Sequence, residues 1–85
     1  MKRLTNTEAL LELGSWMDSG RHVQLRKGAH IPTQAIADDV GVTKGCVTRW
    51  ELLQRRPSGR AALAYHRVLS RLAQAEARRS NSEAA

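Results

Sequence analysis

TQAIADDVGVTKGCVTRWELLQRRPS, residues 33–58, is the stretch on which the reading of this chain turns. Ile36, Ala37 and Val40 recur at helical steps and predict a short helix from Thr33 to Val40. Gly41 follows where a helix end favours a positive φ, a conformation that strains any residue bearing a Cβ. Thr43 then suits the cap of a second helix running towards Leu53. Val42, Val47 and Trp50 fall on the side of that helix facing the first, and Ala37 is small enough to let the two approach. The opposite side carries Lys44, Gly45, Thr48 and Arg49. Two short helices joined by a tight turn are the layout of a helix-turn-helix. An apolar back with a small, polar, cationic front is what the major groove of duplex DNA accepts.

Working outward, Thr5-Asn6-Thr7-Glu8 is a capping box, and Leu10, Leu13 and Met17, flanked by Ala9 and Trp16, predict a first helix to about Met17. Asp18-Ser19-Gly20 ends it. Arg21 to Gly28 forms a second helical segment with Leu25 inward; its run His22-Val23-Gln24-Leu25 suits a strand as well. Gly28 to Pro32 is a connection, with Pro32 where its missing N–H is harmless. Downstream, Pro57-Ser58-Gly59 turns the chain and Ser58 is a candidate cap. Ala61, Ala62, Tyr65, Val68, Leu69 and Leu72 give a last helix its apolar stripe. Surplus width at Leu69 and Leu72 is a candidate dimer contact. After Ala75 the apolar residues stop, so residues 76–85 are expected to fray into a disordered tail, leaving a single domain over 1–75.

The run IPTQAIADDVGVTKGCVTRWE, residues 31–51, resembles the Cro and phage-repressor type of helix-turn-helix, the xenobiotic-response-element family of bacterial regulators. The likeness covers roughly Ser19 to Ala73. It is carried by the alanine, glycine, valine and Trp-Glu at their expected offsets and by Arg-Arg-Pro-Ser after them. The chain departs from the pattern in three places. Thr33 replaces the glutamine that often opens the first motif helix, with Gln34 beside it. His22 stands where an aliphatic residue is usual, and Gly45 has no side chain at a position that often reads a base.

This resemblance implies an all-α fold, a lambda-repressor-like bundle of about five helices, and a DNA-binding transcription regulator, typically a repressor of phage, mobile-element or bacterial origin. It assigns base reading to Lys44, Gly45, Thr48 and Arg49. Lysine and arginine can donate to guanine O6 and N7, and threonine offers a methyl to thymine or a hydroxyl to a base or phosphate. Phosphate contacts are expected from Thr33 and Gln34 at a helix N-terminus, from Thr43, and from Gln54, Arg55 and Arg56 in the following loop. A homodimer on a palindromic operator is the expected assembly.

The charge distribution agrees. Residues 1–42 hold five basic and five acidic residues, whereas residues 43–85 hold nine basic residues against Glu51, Glu76 and Glu83, so the whole excess of +6 lies in the second half. Lys44, Arg49, Arg55, Arg56 and Arg60 crowd around the outward helix, a cluster that attracts a polyanion by counterion release. Asp38 and Asp39 point about 100° apart on a helix and read as solvated or ion-paired carboxylates. Cys46 with His22, His30 and His66 has no metal-ligand spacing, and a lone thiol is more often a packing residue than a redox switch. No nucleophile–base pair, carboxylate dyad or Gly-rich phosphate loop is present, so neither an enzyme nor a cofactor or small-molecule substrate is expected. There is no apolar run long enough for a membrane span or leader, and one cysteine suits a reducing compartment, so the expected location is the cytoplasm. The competing expectation is a protein-binding adaptor, such as an antitoxin or an RNA-polymerase-docking module, for which the helix-turn-helix is secondary.

Overall fold

A computed structural model describes residues 4–84, with side chains through Ser80; residues 1–3 and 85, including the ends of the expected leader-free start and polar tail, lie outside the described residues. Five helices follow in order: α1 (Asn6–Ser19), α2 (Arg21–Gly28), α3 (Thr33–Val40), α4 (Lys44–Glu51) and α5 (Gly59–Ala84), with no strand among the described residues. None of these helices is long and apolar enough to cross a membrane.

The start of α1 and the ends of α1 and α3 are made by the residues expected to make them. The Glu8 N–H donates to Thr5 Oγ1 at 3.1 Å and the Thr5 N–H to Glu8 Oε1 at 3.0 Å, so two of the free N–H groups of α1 are satisfied reciprocally. Those bonds hold the Glu8 carboxyl below the usual carboxylate range. Gly20 (φ 77°) closes α1, whose last residue lies two beyond Met17, and leads directly into α2. Gly41 (φ 88°) closes α3, with its N–H on the Ala37 carbonyl at 2.8 Å.

The core draws on every helix: Leu13 and Met17, Leu25, Ile36 and Ala37, Val47 and Trp50, then Ala62, Tyr65, Val68 and Leu69. Trp50 lies against Tyr65 with ring centroids 4.8 Å apart. The stripe of α1 is shifted from the one expected. Ala9 is buried and Leu10 is 44 % exposed, because α5 packs against the Ala9–Leu13–Met17 line. Leu69 is also buried and Leu72 packs against the core, so the surplus apolar width expected of those two residues is used internally.

Two ion pairs tie the bundle across long sequence separations. Arg26 meets Glu51 with both its Nε and, at 2.9 Å, its Nη2, while Nη1 donates to the Ile31 carbonyl at 3.1 Å. The hydrogen bond to Glu51 raises the Arg26 pKa further above its ordinary value. This one guanidinium joins α2, the 29–32 connection and the end of α4. Arg21 grips Glu76 through both nitrogens, at 3.1 and 2.6 Å. That grip lies just where composition predicted fraying. The segment after Ala75 is instead helical to Ala84, held at Glu76 and rich in strong helix formers, so α5 runs unbroken through the expected boundary at residue 75.

His22, in place of the usual aliphatic residue, is buried with Nδ1 3.3 Å from the Trp16 carbonyl and Nε2 3.3 Å from the Trp50 carbonyl. Its one N–H can donate to the carbonyl at the end of α1 or to that at the end of α4, where an aliphatic side chain offers only packing.

Candidate nucleic-acid interface

α4 sits on the core by Val47 and Trp50, both nearly inaccessible, with Cys46 half-buried beside them. Thr43 caps it in extended conformation, its Oγ1 accepting the Cys46 N–H at 3.2 Å. The anchored back fixes what the front presents. Lys44, Gly45, Thr48 and Arg49 are all exposed and, at steps of one and four residues, form one contiguous face. Lys44, Arg49 and Arg55 make no ion pair among the described residues, so their charges are available to an outside anion. The Thr48 hydroxyl donates to the Lys44 carbonyl at 3.1 Å.

The expected phosphate contacts are less uniform. Thr43, Gln54 and Arg55 are exposed around α4, and Thr33 is half-buried. The cap position of α3 belongs to Pro32, not Thr33, and no side chain caps this helix; the Thr33 hydroxyl therefore does not close its own first turn. Gln34 is exposed, but its amide donates to Asp38 Oδ1 at 2.8 Å, which also gives one of the two outward carboxylates its partner. Arg56 turns towards α1 and pairs with Asp18 at 2.9 Å. Both partners are exposed, and such a pair exchanges easily for another anion.

One feature of this end of the molecule has no sequence signal. The helix stops at Glu51, short of the expected Leu53, in a Schellman arrangement: the Gln54 N–H bonds the Arg49 carbonyl at 2.9 Å and the Leu53 N–H bonds the Trp50 carbonyl at 3.2 Å. The residue in the left-handed conformation is Leu53 (φ 60°), where glycine is usual. Leu52 and Leu53 are 62 % and 53 % exposed, so an apolar knuckle stands beside the cationic face of α4.

A concavity of about 1000 Å³ runs between α1 and α5 and contains no residue of α3 or α4. At its centre His66 stacks on Trp16 (centroids 5.3 Å, planes 13° apart) and lies 2.8 Å from Glu12 Oε1. Ser70 Oγ is 3.4 Å from the same ring nitrogen, Nε2. A serine–histidine–carboxylate relay needs the hydroxyl and the carboxylate on opposite nitrogens. With both on one nitrogen, the ring cannot pass a proton between them. No cluster of three or more His, Cys, Asp or Glu residues suited to a metal ion occurs among the described residues.

Comparison of the chain with protein-family models, with curated proteins and with solved structures finds no match in any of the three.

Proposed function

We propose that the chain is a sequence-specific, double-stranded-DNA-binding transcription regulator in which α3, the 41–43 turn and α4 form a helix-turn-helix and α4 enters the major groove. The observation that carries this reading is the two-sidedness of α4: Val47 and Trp50 in the core, and Lys44, Gly45, Thr48 and Arg49 exposed on one face beside the unpaired Arg55. Phosphates are met by the uncapped start of α3 at Thr33 and Gln34, by Thr43, and by Gln54, Arg55 and an Arg56 released from Asp18. The regulator is a repressor, of phage, mobile-element or bacterial type, working in the cytoplasm as a homodimer on a palindrome.

Selection of bound duplexes from a random pool at two salt concentrations tests this. A consensus is expected, palindromic with half-sites about one helical turn apart, and affinity is expected to fall steeply with salt. Recovery of the starting pool unchanged would refute it. Gly45 gives a second check. An added Cβ meets only Thr43 Oγ1, at 4.0 Å, so Gly45→Ala is expected to stabilise the free protein by up to about 1 kcal/mol, by restricting the unfolded chain, while weakening DNA binding. Melting and duplex titration of the same variant separate the two effects.

The adaptor reading keeps one observation in its favour. Leu10 and Leu11 on α1 and Leu52 and Leu53 after α4 are large, apolar and exposed. A protein complex that persists at high salt, in a variant unable to bind duplex DNA, is what that reading requires.

A further inference from the structure

We propose that Thr48 reads a thymine through its Cγ2 methyl, with the bare backbone at Gly45 forming the other wall of the notch that receives the base's C5-methyl. The assignment rests on the DNA-binding reading of α4 and narrows it to one base and one group. A threonine hydroxyl has a single hydrogen, and that of Thr48 is donated to the Lys44 carbonyl one turn back, at 3.1 Å. The oxygen is thereby drawn towards the helix backbone, and the outward chemistry left to this exposed side chain is its methyl. Three residues back on the same face is Gly45, above which an ideal Cβ finds only Thr43 Oγ1, at 4.0 Å. Residues three apart are neighbours on a helix surface, so the Thr48 methyl borders an open notch whose floor is main chain. Among the groups displayed in the major groove, the thymine C5-methyl is the apolar one. A methyl facing a notch without a side chain fits it, whereas the acceptors of guanine and adenine find no free donor in the notch and the amino groups of adenine and cytosine present no methyl to it.

The experiment replaces each thymine of the selected duplex, one at a time, by deoxyuridine, which lacks only the C5-methyl. Binding is compared for wild type, Thr48→Val and Thr48→Ser, with circular dichroism to confirm that each exposed-site variant is folded. At one thymine per half-site the wild type is expected to lose about fourfold in affinity, the worth of one buried methyl. Thr48→Val, which keeps a methyl and discards the hydroxyl, is expected to retain that sensitivity, and Thr48→Ser, which does the reverse, to lose it at that thymine alone. The assignment is overturned if no thymine is sensitive, if Thr48→Ser stays sensitive, or if Thr48→Val becomes indifferent. In those cases wild type still prefers its selected site, and the DNA-binding reading stands. Failure of wild type to prefer any duplex removes both.

Discussion

Trp50→Ala is expected to destabilise the fold by about 3–5 kcal/mol, the range for truncating a fully buried large aromatic side chain. The indole is 2 % exposed, packs on Tyr65, and is the main anchor of α4 in a core shared by all five helices. A domain of this length is stable by about 4–13 kcal/mol in all, so the variant is expected to be marginal or unfolded at 37 °C. Urea denaturation followed by far-ultraviolet circular dichroism measures the change. Because Trp50 seats α4 on the core, DNA binding is expected to fall together with folding and to recover at low temperature to the extent that helix content does. A loss below about 1 kcal/mol would mean that α4 is not held as described.

Glu51→Ala is expected to cost about 2 kcal/mol. Removing one partner of a fully buried ion pair costs about 3–5 kcal/mol; the residual exposure of the Arg26 and Glu51 side chains, 14 % and 11 %, lets water reach the stranded guanidinium and reduces the penalty. Arg26 would keep its bond to the Ile31 carbonyl but lose its hold on the end of α4. The double variant Arg26→Met/Glu51→Leu removes both charges and keeps volume, and is expected to be more stable than Glu51→Ala. Denaturation of Arg26→Met, Glu51→Leu and the double variant completes the cycle. Additive losses would mean that the pair contributes no coupling.

Much of this architecture was legible because particular residues have few alternatives. Thr5 and Glu8 can satisfy each other across one turn, Gly20 and Gly41 stand where the backbone is left-handed, and Val47 and Trp50 dictate which side of α4 is buried. The misreadings share a different cause: each was decided by a partner remote in sequence or by a conformation the residue type does not advertise. Ala9 rather than Leu10 faces inward because α5 lies on that side. The polar segment after Ala75 stays helical with Glu76 held by Arg21, 55 residues earlier. Leu53 adopts a glycine-like φ that nothing in its side chain foretells. The exposed face of α4, with Lys44, Gly45, Thr48 and Arg49, was legible, since it needed only the period of a short helix and the identity of its buried side.

The most direct test of the central claim, that the exposed face of α4 reads duplex DNA, is the affinity of Lys44→Ala/Arg49→Ala for the selected duplex and for a scrambled one of the same length and salt. Each side chain is expected to be worth about 1–3 kcal/mol on the selected site and less on the scrambled one, so that both affinity and preference collapse in the double variant while its melting is unchanged. A folded double variant that binds the selected duplex as tightly and as selectively as wild type would contradict the account.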